Sequence, residues 1–212
     1  FIGDAIMAAF GIPVGHEDDA DRAVRAAIAM LKDLSTWNTQ RHAEGKMPVD
    51  IGIGLNTDHV VSGTIGSKKR MDYTIIGDGV NLAARLESAC KQYGAHLLIS
   101  EFTQKSLRGT YYSRELDLVV VKGKTKPVAI YEIMDYHTEE TYPNMHDAMR
   151  LFRTGLVKYR QRKWQDAISE FTEVLALNPN DKAAKLYVER SEHFCDNAPP
   201  DDWEGVWVMQ DK

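Results

Sequence analysis

Short apolar runs alternate with helix-like segments along the first 136 residues. The predicted strands are residues 5–10, 49–55, 59–65, 71–76, 96–99, 116–121 and 128–134, of which the last two form a hairpin. Apolar positions at helical spacing predict helices over residues 16–44, 80–93 and 101–107. Helices that recur between strands favour a mixed α/β layer fold.

Two local features of this region carry polar groups next to apolar runs. Residues 5–10 are predicted to be a buried strand closed by the turn residues Gly11 and Pro13, with Asp4 at its tip. Asp78 precedes a helical pattern and is predicted to be its N-cap. A carboxylate at either place serves a turn or a chemical role, and the pattern leaves both readings open.

The strand signals stop after residue 137. Helices are predicted over residues 145–162, 164–177 and 181–195. The middle of this segment resembles one tetratricopeptide repeat, through Trp164, Ala167, Phe171, Leu175 and Pro179. Because about three such units are usually needed for stability, this segment is expected to pack on the first domain or on a partner chain. The predicted domains are therefore residues 1–136 and a helical, tetratricopeptide-like segment, residues 137–212.

The composition narrows the classes of function. The chain has 212 residues and a formal net charge of −5, which argues against nucleic-acid binding. No apolar run approaches the roughly 18 residues of a membrane span, so no membrane segment is expected in this chain. Its 2 cysteines suit a reducing compartment better than a disulfide framework. A cytoplasmic location is expected. This includes the case in which the chain is the cytoplasmic part of a membrane-anchored protein.

The stretch from residue 63 to residue 87 carries the most specific chemistry. Asn81 and Arg85 lie four residues apart and share one face of the predicted helix. They form either the solvated stripe of that helix or a pair that binds a substrate. A guanidinium group suits phosphate because it is always charged and presents a fixed fork of donors. An amide beside it can orient a ribose or a reacting oxygen.

Several motifs in this order resemble the catalytic core of class III nucleotide cyclases, in particular the homodimeric bacterial and cyanobacterial adenylate cyclases. They are GDAIMAAFGIP at residues 3–13, RMDYT at 70–74, GDGVNLAARLE at 77–87 and KG at 122–123. The resemblance covers roughly residues 1–136. It implies a ferredoxin-like α/β (α+β) sandwich, here with a helical C-terminal extension, and conversion of ATP to 3′,5′-cyclic AMP and pyrophosphate in signal transduction.

The resemblance also implies roles for single residues. Asp4 would be one of two aspartates that hold two Mg²⁺ or Mn²⁺ ions against the triphosphate. Asn81 would orient the ribose. Arg85 would stabilise the charge that develops on the α-phosphoryl group in the transition state.

Substrate recognition is implied at two further positions. Lys122 would hold the terminal phosphates, with Lys124 as the alternative. Thr74 occupies the family's base-recognition position, where Asp or Thr goes with adenine, so ATP is the expected substrate. A guanylate cyclase and a catalytically silent nucleotide-binding or dimerisation module are the alternatives, as is a protein-docking role for the helical segment.

The resemblance further implies an incomplete set of site residues and a dimer. The family's other metal aspartate and its base-recognising lysine fall before Phe1, so the chain is expected to be part of a longer protein, in which an upstream sensor domain is possible. In this family each site lies between two protomers. Since Asp4 and Arg85 belong to opposite half-sites, a head-to-tail homodimer with two shared sites is expected.

Overall fold

A computed structural model describes residues 5–67, 70–120 and 127–206, without the side chains of residues 65–73. The prediction of a mixed α/β fold is confirmed. The elements in chain order are α1 (Asp19–Ala43), β1 (Ile53–Leu55), β2 (Val61–Ser67), β3 (Arg70–Ile76), α2 (Asp78–Tyr93), β4 (Leu97–Ser100), α3 (Glu101–Ser106), β5 (Ser113–Val119), β6 (Val128–Ile133), α4 (Met145–Arg160), α5 (Trp164–Leu177) and α6 (Lys182–Asp196).

The strands form one mixed sheet and one separate hairpin. The sheet has the order β1-β4-β6-β5, in which β1 and β4 are parallel and the other neighbours are antiparallel. Strands β2 and β3 pair only with each other among the described residues. The predicted hairpin of β5 and β6 is confirmed, while its turn at residues 122–125 lies outside the described residues.

The prediction of a buried strand at residues 5–10 is wrong for this structure. Apart from an isolated bridge at Ala5, residues 6–9 have no regular structure. Ile6 is 66% exposed and Phe10 is 42% exposed. The apolar pattern identifies side chains that favour burial, but a strand also needs a neighbour to pair with, and no described strand runs along this segment.

The prediction that Asp78 caps α2 is also wrong. Gly77 is the N-cap, and Asp78 is the first residue of the helix. A carboxylate in the first turn interacts favourably with the positive end of the helix dipole, which explains why an acidic residue stands there without being the cap.

The sheet has an apolar layer on each face. Leu97 and Ile99 of β4 face one way and pack with Val24 and Leu31 of α1. Leu98, between them, belongs to the other layer, which includes α2. This alternation is the two-residue period of a strand, and it is invisible in the sequence because β4 is buried on both sides.

The C-terminal helices share the second of these layers. Phe152, Phe171 and Tyr187 are fully buried and belong to the same core cluster as Leu98 and Leu116 of the sheet. Trp203 packs against this cluster and makes an edge contact with Tyr159. Of the two expected arrangements, packing on the first domain or on a partner chain, the structure shows the first.

A buried polar cluster joins the sheet to α6. The guanidinium of Arg114 on β5 donates to Glu132 at 2.8 Å and to Asp181 at 2.5 Å. Asp181 is the N-cap of α6 and accepts from the amide of Ala184 at 2.9 Å. A charge removed from water at this depth is stable only when it is paired. The cluster therefore fixes the start of α6 against the sheet.

His137 lines a polar cavity of about 160 Å³ beside this cluster. Its Nδ1 lies 3.2 Å from the hydroxyl of Thr141. Burial, with the nearby positive charge of Arg114 and the adjacent His96, lowers the pKa of His137 to about 4, although Asp181 acts in the opposite sense. The neutral imidazole is thus the form that fits the folded protein.

Helix α2 lies close to β1 at Gly54, which has no side chain. A Cβ atom at Gly54 would lie 2.2 Å from the carbonyl oxygen of Ala83 and 2.9 Å from Cβ of Leu86. One of these atoms belongs to the helix backbone, so the contact cannot be relieved by a rotamer change. Gly52 makes a similar approach to Cys90. Gly54 in β1 and Gly52 just before it thereby set the height of α2 above the sheet.

Gly54→Ala is expected to lower the free energy of unfolding by about 1–3 kcal/mol, because α2 must move off β1 to admit the methyl group. The measurement is urea denaturation. Gly63→Ala is the matched control, since a Cβ at Gly63 on β2 meets nothing within 4 Å, and it should change the free energy by no more than about 0.5 kcal/mol. Equal losses in the two variants would contradict the packing argument.

His137→Asn is expected to reduce the loss of stability on acidification. The pKa of His137 is lowered in the folded state, so below about pH 6.5 the unfolded chain binds a proton that the folded chain rejects, and stability falls as the pH falls. Between about pH 7 and about pH 4.5 the variant should lose about 1–2 kcal/mol less than the wild type in urea denaturation. The exposed His59, changed to Asn, is the control, and parallel curves for His137→Asn and the wild type would refute the expectation.

Candidate functional site

The two predicted residues on α2 lie one helical turn apart on the same side of the helix, outside its buried stripe. Asn81 is exposed and Arg85 is half-buried. Leu82 and Leu86 alternate with them and are each 2% exposed. The apolar side chains bind the helix to the sheet, so that the amide and the guanidinium are presented on the outer side. The shared face predicted from the four-residue spacing is confirmed.

Thr74 lies on β3, two residues before that strand ends. It pairs with Gly63 of β2 and is half-buried. Only Gly77 separates β3 from α2, so Thr74 and Asn81 flank one sharp strand-to-helix connection. This connection is close-packed, since a Cβ at Gly77 would lie 3.3 Å from a methyl carbon of Val60.

An open cavity of about 220 Å³ lies beside Thr74. Its other lining residues are Met7, Ala9, Ile12 and Ile75, which are apolar. A single hydroxyl on an otherwise apolar wall suits a flat ring with a polar edge, because the wall covers the faces of the ring and the hydroxyl exchanges a hydrogen bond with the edge. The segment before α1 is thereby part of the candidate site, although it is not a strand.

Two of the five predicted site residues, Asp4 and Lys122, lie outside the described residues. Of the other three, Thr74 lies near the end of β3, and Asn81 and Arg85 lie in the first half of α2.

Asn56 is a positioning residue that the sequence pattern did not reveal. Its Nδ2 donates to the carbonyl oxygen of Gly79 at 3.0 Å, and its Oδ1 accepts from the hydroxyl of Ser100 at 2.6 Å. Ser100 also accepts from the amide of Thr103 and so caps α3. In the sequence, Asn56 appears only as a turn residue after β1. Its partners are 23 and 44 residues away, so the local pattern holds no signal for them.

Gly79 completes this anchoring in the first turn of α2. A Cβ at Gly79 would lie 2.4 Å from Cβ of Asp58 and 3.0 Å from Nδ2 of Asn56. The loop after β1 therefore touches the helix backbone directly. Asp58 itself is exposed, and its Oδ1 accepts from the amide of His59 at 2.8 Å.

Cys90 lies on the buried side of α2 and is not a candidate nucleophile. Burial raises the pKa of its thiol to about 12, so the thiolate is absent at neutral pH. Its Sγ donates to the carbonyl oxygen of Leu86 at 3.4 Å. The residue is part of the packing against β1.

Metal ligands are not assembled within the part of the chain that the structure describes. No group of three or more His, Cys, Asp or Glu residues there is placed to hold a metal ion. The one predicted ligand, Asp4, is not among those residues.

None of the described helices combines the length and the apolar character that a membrane span requires.

Comparison with known proteins gives one family. The model of the adenylate and guanylate cyclase catalytic domain matches residues 1–137. The protein named "Adenylate cyclase, terminal-differentiation specific" from Dictyostelium discoideum is 35% identical over 197 residues, which are 90% of this chain and 9% of that protein. Since the family match ends at residue 137, an alignment over 90% of the chain also includes much of the C-terminal helices. This chain thus spans a small part of that relative.

Two solved structures share the fold. The guanylyl cyclase Cya2 is 38% identical, with a TM-score of 0.55 over 63% of this chain and 66% of that one. The adenylyl cyclase CyaB from P. aeruginosa is also 38% identical, with a TM-score of 0.56 over 63% of this chain and 68% of that one. With the family match over more than half of its residues, this chain belongs to the adenylate and guanylate cyclase catalytic domain family.

Proposed function

We propose that this chain is the catalytic part of an adenylate cyclase, which converts ATP to 3′,5′-cyclic AMP and pyrophosphate. The family match over residues 1–137 is the observation that carries the proposal. The outward face of α2 supports it, because Asn81 and Arg85 stand beside the connection that follows Thr74.

The proposed reaction needs orientation and charge stabilisation from this chain. The 3′-oxygen of the ribose attacks the α-phosphorus and gives up its proton to solvent. The bond from the α-phosphorus to the oxygen that bridges to the β-phosphorus breaks, and pyrophosphate leaves with that oxygen. Asn81 orients the ribose for this attack. Arg85 stabilises the negative charge on the α-phosphoryl oxygens, as its permanently charged fork suits. Lys122 holds the terminal phosphates, which become the leaving group.

Mg²⁺ or Mn²⁺ is the proposed cofactor, two ions to each site, with Asp4 as a ligand. Hard oxygen ligands suit these cations. When bound, they make the 3′-hydroxyl more acidic and neutralise phosphate charge. The residues described above act beside the ions and do not replace them.

The base is proposed to be recognised at Thr74. Its hydroxyl can accept a hydrogen bond from the 6-amino group of adenine while the apolar cavity wall covers the ring. Cyclisation of GTP is the second candidate, because a guanylyl cyclase and an adenylyl cyclase are each 38% identical to this chain.

A homodimer with shared sites is proposed as the working form. Ile6 before α1, Val61 on β2 and Ile76 on β3 are exposed by 66%, 72% and 55%. Val61 and Ile76 stand opposite each other on the hairpin and form an exposed apolar pair. Such a surface, near residues that belong to opposite half-sites in the family, supports a second copy as the element that covers it.

The proposed organisation is a catalytic domain, residues 1–136, followed by a helical segment, residues 137–212, that includes one tetratricopeptide-like unit. The close crossing of α4 and α5 supports the repeat, since a Cβ at Gly155 would lie 2.9 Å from the ring of Phe171. A role in signal transduction, a cytoplasmic location and an upstream sensor domain belong to the same proposal.

The full-length protein is expected to convert ATP to cyclic AMP and, more slowly, GTP to cyclic GMP when it is assayed with Mn²⁺ or Mg²⁺ by chromatography of the products. Arg85→Ala should lower kcat by about 10²–10³, as for loss of one donor to a transition-state oxyanion. Arg153→Ala, a change at an exposed arginine of α4, is the control and should retain activity. A preference for GTP would replace the substrate assignment, and no turnover of either nucleotide would refute the function.

Mixing two inactive variants of the full-length protein should restore activity. In a mixed dimer of Asp4→Ala and Arg85→Ala chains, one of the two shared sites keeps both residues. With random pairing, about half of the dimers are mixed, so about one quarter of the wild-type activity is expected. A mixture that remains as inactive as its parts, while size-exclusion chromatography shows exchanged dimers, would overturn the shared-site proposal.

A further inference from the structure

A β-bulge turns an acidic side chain of β5 into the core. The register of β5 against β6 shifts between Glu115 and Asp117. As a result, Leu116 and Asp117 are consecutive and both buried, which a regular strand with one covered face does not allow. Asp117 is 1% exposed and faces α2 and α6.

Asp117 binds one residue from each of these helices. Its Oδ2 accepts from the guanidinium of Arg190 on α6 at 2.6 Å and from the hydroxyl of Tyr93 on α2 at 2.7 Å. Its Oδ1 accepts from the amide of Leu118 at 2.8 Å. A single carboxylate oxygen therefore joins the last residue of α2 to the middle of α6.

The ionic part of this junction is held deep in the protein. The side chains of Arg190 and Asp117 are 2% and 1% exposed. Burial alone would lower the pKa of Arg190, but the adjacent Asp117 carboxylate outweighs it and the pKa is raised. Burial and the same carboxylate raise the pKa of Tyr93, so that its hydroxyl stays protonated and donates. Removal of either partner of such a buried pair is costly.

The junction fixes the end of the helix whose beginning carries the candidate site. Gly94, the C-cap of α2, lies against α6 as well, since a Cβ there would meet the side chain of Lys182 at 2.7 Å. From Tyr93 to Arg85 the distance along the helix is about two turns, or about 12 Å. An unbroken α-helix of this length moves as a unit, so its C-terminal attachment influences the direction of its N-terminal side chains.

We propose that Arg190 is a positioning residue of the cyclase site, which acts through Asp117 and Tyr93 to orient helix α2. The C-terminal helices then contribute to catalysis without touching the substrate. The inference rests on the proposed function, because Asn81 and Arg85 are the residues that α2 presents. It assigns α6 a role in orienting α2 for catalysis, in addition to its contribution to stability.

Tyr93→Phe tests this coupling in the full-length protein, because it removes only the hydroxyl that joins α2 to Asp117. Tyr187→Phe is the matched control. Tyr187 is also fully buried, and its hydroxyl donates to the carbonyl oxygen of Leu116 at 2.7 Å, a hydrogen bond that joins α6 to β5 and not to α2. The readouts are kcat and KM for ATP, the urea midpoint, and hydrogen exchange of the amides of α2 measured by mass spectrometry.

The proposal expects kcat to fall about fivefold in Tyr93→Phe, with KM changed by less than about twofold, since a small misplacement affects the reaction more than binding. The amides of α2 should exchange about tenfold faster. In Tyr187→Phe, kcat and the exchange of the α2 amides should match the wild type, even if the urea midpoint falls as much as it does in Tyr93→Phe. Equal effects of the two changes, or unchanged kcat and exchange in Tyr93→Phe, would overturn the proposal.

Arg190 itself supplies a second comparison. Arg190→Lys keeps a cation opposite Asp117, whereas Arg190→Gln removes the charge, so kcat should be closer to the wild type in the lysine variant. Equal kcat values at equal stability would count against the proposal. If the wild-type protein turns over neither ATP nor GTP, the proposed function fails, and the hydrogen exchange of α2 in the two tyrosine variants still decides whether the coupling exists.

Discussion

The close packing of α2 on the sheet is the constraint on which the rest of this structure depends. The helix presents polar groups on one side only because the other side is fixed by Leu82 and Leu86. Its height is set by the absence of a side chain at Gly54, and its first turn is held by Asn56. A site built this way has little freedom, because β1 and the loop that follows it both hold the helix.

Much of the fold could be predicted from the sequence, because its signals are local. The bounds of α5 agree with the predicted residues 164–177, and those of α2 differ only at its first residues. The predicted strand at residues 5–10 failed for a physical reason. An apolar pattern shows that a segment favours burial. The strand that it would pair with lies elsewhere in the molecule, and the local pattern carries no information about it.

Only the helical face of the candidate site could be predicted from the sequence. The four-residue spacing correctly placed Asn81 and Arg85 on one helical face. The supporting contacts were not predictable, since Asn56 binds groups 23 and 44 residues away. The core position of Asp117 was not predictable either. A bulge breaks the two-residue alternation from which the buried face of a strand is predicted. A charged residue can be placed in a core only when its partner is known. Here Arg114 and Asp181 are 67 residues apart, and Asp117 and Arg190 are 73 residues apart.

The continuous core beneath the sheet has a consequence for how the molecule unfolds. The family match ends at residue 137, but Phe152 and Tyr187 lie in the same apolar cluster as Leu98. A fragment that ended at that boundary would expose this face of the sheet to water and leave Arg114 without Asp181 and Asp117 without Arg190. The family match and the apolar core therefore divide this chain at different places, because the C-terminal helices complete a core that begins in the matched residues.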